Sequence, residues 1–388
     1  MAAGPFPFLR GAALPMASDL SRLPSTGLEV QLCGDAHLCN FGLFASPERD
    51  LVFDINDFDE TWPGSWEWDL LRLAASVTVA ARSRAFSGHA GRHAVHAAVR
   101  SYTQRMREYA AMRSIDVYYA RVDAASILEY VKARGRPAIE ATIKSAGHHD
   151  ALHELPKLTV GTGLDRKIVD RPPTVYHPEG ITAPVVEAAL DEYRATLQED
   201  RRILLDRYLP VDTALKVVGV GSVGLGAWIL LLLGHGDEDP LFLQVKEATD
   251  SVLAAFVPGE AGHNGERVVR GQRRLQAVSD VLLGWTTGTR GRPLYVRQLH
   301  DAKGSPVIEV MSETDLAEWA ALCGWALARG HARSGHPSEI AGYLGEDDAM
   351  SDAAAAFGTA YADQTEQDHQ ALVDAIASGR VAAAEPGV

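Results

Sequence analysis

The sequence is short of several things, and each shortage narrows what it can be. It has 3 cysteines in 388 residues, Cys33, Cys39 and Cys323. So few exclude a disulfide framework and point to a reducing compartment, and their spacing offers neither a Cys-x-x-Cys pair nor a zinc site. Basic residues are outnumbered, 37 Lys and Arg against 51 Asp and Glu, for a net charge of −14. A surface of that average sign repels a nucleic-acid backbone or an anionic membrane. Long apolar runs are missing too. The strongest, AWILLLL at 227–233, falls far below the roughly 20 residues that span a bilayer. No basic segment followed by an apolar run stands at the N-terminus, so no secretory signal is expected. These absences together predict a cytoplasmic protein with no nucleic-acid or membrane partner. They leave the oligomeric state open.

What is present is a packed chain. Apolar residues make up 46%, which argues for a globular core, and 388 residues are enough for two lobes. The most informative stretch is residues 34–72, GDAHLCNFGLFASPERDLVFDINDFDETWPGSWEWDLLR. Asp35 and Asn40 stand in the D-x-x-x-x-N spacing of a kinase catalytic loop, where the Asp takes a hydroxyl proton and the Asn holds a metal ion. Asp57 comes 17 residues after Asn40, at the end of an apolar run that reads as a short strand. An Asp at such a strand end is the usual second oxygen ligand for Mg²⁺. His37 and Asp59 are candidate assistants, His37 in catalysis and Asp59 at the metal.

A second constellation lies far downstream. GVGSVG satisfies G-x-G-x-x-G at Gly219, Gly221 and Gly224, a weak signal taken alone. A dinucleotide-binding turn feeds a helix, whereas a kinase glycine loop joins two antiparallel strands. Here the loop runs into AWILLLL, a turn GHGDEDP (234–240), then LFLQVKEA (241–248). That is strand, hairpin turn, strand. Its Val-Lys-Glu-Ala end makes Lys246 the candidate phosphate lysine. The following helix, ERVVRGQRRLQ, offers Glu266 as the acidic partner of Lys246, with Gln272 the polar choice. Arg297 and Lys303 read as exposed basic residues. The scattered His148, His149, His153 and His177 read as surface.

The first stretch resembles the catalytic core of aminoglycoside-phosphotransferase-type kinases, roughly H-G-D-x-H-x-x-N, a strand, I-D-F-x-D, then a D-L-A helix start. Gly34-Asp35-Ala36-His37 with Asn40, Asp57-Phe58-Asp59 and Asp69-Leu70 carry the likeness. Cys33 replaces the first His and Asn56 the Ile. Asp69 at its helix start would brace the catalytic loop. The longer pattern, from PFPFLRGAA (5–13) through GDAHLCNFG and FDINDFDE to WEWDLLRLAAS, resembles the bacterial DUF2252 family, whose name carries no function. CGWALARGHARSG (323–335) resembles the L-G-x-x-L-A-x-L-H-A helix that precedes the catalytic loop in aminoglycoside kinases.

The order along the chain is inverted relative to ordinary kinases, and a circular permutation accounts for it. The expected fold is therefore α+β, a protein-kinase-like, two-lobed, circularly permuted arrangement. Residues 1–205 would form a helical lobe with the catalytic and metal loops. Residues 206–310 would form a small antiparallel-sheet lobe with the glycine loop and Lys246, and 311–388 would complete the helical lobe. The expected function is ATP-dependent phosphoryl transfer to an unknown, small-molecule hydroxyl, with ATP and Mg²⁺ (or Mn²⁺) bound. AMP transfer would use similar residues. A metal-dependent phosphoesterase built on GDAH, with HHD at 148–150, and a non-catalytic nucleotide-binding protein are the alternatives.

Overall fold

The structure is a computed structural model, and it describes residues 1–130, 155, 158–178, 183–217, 226–259, 262–299 and 307–382. The expected glycine loop, with Gly219, Gly221 and Gly224, lies outside the described residues, as do His148, His149, His153 and Lys303. The architecture is α+β, with helices predominating and the strands all in small antiparallel sheets.

The chain opens with two short helices, α1 (Pro5–Arg10) and α2 (Ala13–Leu20), then β1 (Glu29–Leu32). Strands β2 (Phe41–Ala45) and β3 (Leu51–Ile55) form a hairpin, and β4 (Trp62–Ser65) returns to pair with β1. Helix α3 (Glu67–Ser83) follows. Glu67 and Asp69 in its first turn suit the positive end of the helix dipole. It stops where Ala85 takes the left-handed conformation at φ 54°. Helix α4 (Gly88–Ala110) begins at Ser87, whose side chain accepts the Ala90 N–H. Then come α5 (Ser114–Tyr119), β5 (Val122–Asp123) on the edge of the β2–β3 hairpin, and α6 (Ala124–Tyr130).

The second part is a six-stranded antiparallel sheet. After the small β6–β7 ladder (Thr159–Val160, Lys167–Ile168) come β8 (Val175–Tyr176), α7 (Ala183–Ala195) and α8 (Glu199–Leu205). Strands β9 (Leu209–Lys216), β10 (Ala227–Leu233), β11 (Pro240–Glu247), β12 (Gly284–Thr287) and β13 (Pro293–Gln298) follow, with α9 (Asn264–Leu275) between β11 and β12. The sheet order is β12-β13-β11-β10-β9-β8. Its register sets two faces. Lys246 stands opposite Ala227 and Tyr295, and Gln244 opposite Ile229 and Arg297. Directly opposed residues share a face, so Lys246, Gln244, Tyr295 and Arg297 point the same way. The other face carries Leu230, Leu243 and Val296, packed with Tyr193 of α7, Leu205 of α8 and Leu197 between them. Residues of 183–205 thus pack on this face of the sheet.

Helix α10 (Glu313–Ser334) is the axis of the helical part. A capping box of Ser312 and Asp315 starts it, and Leu316–Ala332 are buried without interruption. Its small residues let α4 approach closely: a Cβ at Gly324 would collide with the Ala98 carbonyl oxygen. Helices α11 (Pro337–Leu344) and α12 (Ala349–Ala377) finish the described chain. Among the described residues no helix is long and apolar enough to cross a membrane.

Candidate active site

The site is built around two loops that the β2–β3 hairpin brings side by side. Asn40 directly precedes β2, and Asp57 stands two residues beyond β3. The Asn56 N–H donates to the Asn40 carbonyl at 2.8 Å, tying the two loops together. Gly34 opens the first loop at φ 83°, a left-handed position that glycine adopts freely, and a Cβ there would strike the Glu60 carbonyl oxygen.

Asp35 is held on one side and open on the other. Arg72 of α3 donates to its Oδ1 from Nε at 2.9 Å and from Nη2 at 2.7 Å. Oδ2 faces His37 Nε2 at 3.6 Å and Asn40 Nδ2 at 3.5 Å. His37 is buried, and that burial lowers its pKa to about 4, with Asp35 pulling the other way. The ring is therefore neutral near pH 7. Its Nδ1 accepts the Cys39 N–H at 3.2 Å, so its proton sits on Nε2, toward Asp35. Asn40 Nδ2 donates to the Asp35 carbonyl at 2.8 Å, so Oδ1 is the side-chain atom that could take a cation.

Asp69 braces this loop from the first turn of α3. Its Oδ2 accepts the Cys33 N–H at 2.8 Å and its Oδ1 the Gly34 N–H at 3.0 Å. His331, near the far end of α10, lies 3.3 Å from the same carboxylate and 2.9 Å from the Tyr102 hydroxyl. Two residues earlier, Arg329 of α10 bonds both oxygens of Asp54 on β3, at 2.7 and 2.8 Å, in full burial. Breaking a buried pair of this kind leaves an uncompensated charge, so α10 locks the hairpin under the site.

The sheet delivers the cation. Lys246 Nζ donates to Asp59 Oδ2 at 2.6 Å, and the Tyr295 hydroxyl donates to Asp59 Oδ1 at 2.6 Å. Burial works to strip the Lys246 charge, but Tyr295, Asp59 and Asp57 outweigh it and hold its pKa above the ordinary value. Asp57 receives the Asp59 N–H at 3.1 Å. Burial alone would raise its pKa; the positive charges of Lys246 and Arg297, with that N–H, push it down. Arg297 reaches the loop by donating to the Asn56 carbonyl at 3.1 Å. Arg267 of α9 clasps the same loop through the carbonyls of Asp59 and Thr61 at 2.8 and 2.7 Å.

So Asp35, His37, Asn40, Asp57, Asp59 and Lys246 come together. Glu266 does not join them: its carboxylate pairs with Arg270, one turn on, at 2.5 Å. Gln272 bonds Gln276. Each oxygen of Asp59 has a donor, Lys246 on Oδ2 and Tyr295 on Oδ1. Asn40 and Asp57 remain as the pair with open oxygens, a hard donor set that suits Mg²⁺. Among the described residues no three His, Cys, Asp or Glu side chains converge as a ready cage. A cation here would take its other ligands from water or phosphate oxygens, as Mg²⁺ commonly does. Arg72, Arg267 and Tyr295 went unseen in the sequence. Arg297, expected on the surface, is turned inward by its pairing opposite Gln244.

The chain belongs to the DUF2252 family, described as uncharacterised proteins conserved in bacteria, whose family pattern matches residues 1–375. Comparison with curated proteins found no match, and comparison with solved structures found none.

Proposed function

We propose that this chain is an ATP-dependent phosphotransferase of kinase-like type, its two lobes permuted in chain order, acting on a hydroxyl acceptor. The observation that carries the reading is the Lys246–Asp59 ion pair, which joins the third long strand of the sheet to the loop after β3 across 187 positions. A phosphate lysine on the third strand after a glycine loop, beside a metal-binding aspartate, is the kinase arrangement. The permutation is supported by α10, which follows the sheet in sequence and holds Asp69, the brace of the catalytic loop, through His331 and the β2–β3 hairpin through Arg329.

In this reading Asn40 and Asp57 hold Mg²⁺, which offsets charge on the phosphates. Lys246 orients the phosphates from the sheet. Asp35 Oδ2 accepts the acceptor's hydroxyl proton as that oxygen bonds to the γ-phosphorus and the bond to the bridging β–γ oxygen breaks, releasing ADP. His37, a neutral donor, orients Asp35. Catalysis rests on positioning and electrostatics.

Calorimetric titration with ATP tests this. The expected result is binding that Mg²⁺ strengthens by about tenfold or more, with Asp57→Asn losing that gain while keeping the wild-type melting temperature. Equal ATP affinity with and without Mg²⁺, in both proteins, contradicts the assignment.

A further inference from the structure

Behind the sheet, on the face turned away from Lys246, lies a cavity of about 200 Å³ that phosphoryl transfer does not use. Helix α7 supplies one wall with Val186 and Leu190, and the sheet supplies the other with Trp228, Leu230, Val245 and Val296. The register brings these together. Trp228 stands opposite Val245, which stands opposite Val296, and directly opposed residues share a face. Two strands therefore alternate between the sites: Lys246 follows Val245, and Tyr295 lies between Leu294 and Val296. A helix laid on an apolar sheet ordinarily packs without a gap. Here the interface is full at Tyr193, which is 0% exposed, and opens toward Val185 and Val186, which are half-buried.

The charged groups are gathered at one end. Thr289, Arg290 and Arg292, of the turn between β12 and β13, also line the cavity. The nearby acids are engaged. Glu192 of α7 takes the hydroxyls of Thr286 and Thr287 and the Thr287 N–H. Glu247 takes Arg292 at 3.4 Å and the Gly226 N–H at 3.3 Å. Arg290 is exposed, and its side chain makes no hydrogen bond or ion pair among the described residues. An apolar chamber with one free guanidinium on its rim sets the chemistry of an occupant: an apolar body and a single anionic head. Its size sets the length. A cavity of about 150 Å³ holds benzene, so this one takes a ring with a short arm or a chain of about eight carbons.

We propose that this cavity is a second binding site of the protein, for a small carboxylic acid with an apolar body, its carboxylate held by Arg290 at the mouth. Apolar lining with a few placed polar groups is the usual make-up of a small-molecule site. The guanidinium fork bonds both oxygens of a carboxylate at once. None of these residues belongs to the catalytic or metal loops, so the site does not depend on the phosphotransferase reading.

The test uses the full chain without nucleotide, titrated with octanoate and followed by calorimetry and by the indole N–H resonance of Trp228. Saturable binding at one site per chain is expected, with movement of that resonance. Octanol should bind about 10-fold more weakly, and octylamine more weakly still. Arg290→Gln should weaken octanoate by about 10-fold, the scale of a lost charge-assisted hydrogen bond, and leave octanol unchanged. Ala189→Phe, which adds a ring at the cavity wall, should remove both ligands at a wild-type melting temperature. If that variant does not fold, Arg290→Gln, on an exposed turn, carries the test. Octanoate that does not saturate, that leaves the Trp228 resonance still, or that binds Arg290→Gln as tightly as wild type overturns the proposal; so does octylamine binding as tightly as octanoate. Octanoate binding by a chain that never turns over ATP would leave this inference standing and remove the kinase reading. ATP turnover by a chain that ignores octanoate would do the reverse.

Discussion

Asp59 and Glu60 sit side by side and behave oppositely. Asp59 is saturated by Lys246 and Tyr295. Glu60 has one clear donor, the Val252 N–H at 2.7 Å on its Oε2, and burial pushes its carboxyl from 4.5 up to about 7 against that bond. A carboxyl raised in the folded state keeps its proton where the unfolded chain has lost it. Its contribution to stability is full below pH 4.5 and fades as pH climbs to about 7. Glu60→Gln keeps an acceptor for Val252 and carries no titrating proton. In metal-free buffer, the stability difference between wild type and Glu60→Gln should move by about 1–3 kcal/mol across that window, wild type losing ground as pH rises. Denaturant unfolding at several pH values measures it, and a difference that does not change with pH contradicts the account. At this scale the sequence was readable only where spacing repeats a known chemistry. Asp35, Asn40, Asp57 and Lys246 stand at fixed distances or strand ends. Arg72 and Arg267 have no such marker, because one arginine on a helix looks the same in sequence whether it faces water or the core.

Among elements, the long helices were legible because their apolar period is sustained. The apolar period of 66–84 is observed as helix Glu67–Ser83, and that of 312–333 as Glu313–Ser334. The opening helices differ. Pro5, Pro7 and Pro15 with Gly4 and Gly11 punctuate the entry to the chain, yet α1 and α2 form because burial of Phe6, Leu9 and Met16 and the Arg72–Leu9 bond hold them. Tertiary contact overrides local propensity there. The apolar period over 184–207 is carried by two helices, α7 and α8, since Gln198 is extended at ψ 155°. Glu266 looked like the lysine's partner because it opens the helix after β11. At i, i+4 it found Arg270 first. The tightest helix crossing gives a prediction of its own. Gly324→Ala must push α10 away from the Ala98 carbonyl, and overpacking of that kind costs about 1–3 kcal/mol. A thermal melt should show the loss, together with weaker support of Asp54 by Arg329; an unchanged melting temperature would mean the α4–α10 contact is looser than described.

Over the whole molecule, composition gave the class and little more. The α+β character and the strand, hairpin turn, strand run at 227–248 were readable, the latter observed as β10 and β11. What α7 and α8 pack on was harder to read, because nothing in the pattern of these amphipathic helices says whether a sheet or a helix bundle covers them. Their packing on Leu230, Leu243 and Val296 decides it. The central claim is that residues from 35 to 59 and Lys246 form one phosphoryl-transfer site. Phosphorus NMR of ATP and Mg²⁺, incubated with wild type, Asp35→Asn and Lys246→Ala and with a pool of hydroxyl acceptors, tests it most directly. The account predicts slow loss of the γ-phosphate signal with wild type and a rate about 10²-fold lower or less with Asp35→Asn at nearly unchanged ATP affinity, the scale of a general base. Lys246→Ala should weaken nucleotide binding itself. No turnover of the γ- or α-phosphate with any acceptor, and mutants that bind nucleotide as wild type does, would contradict it.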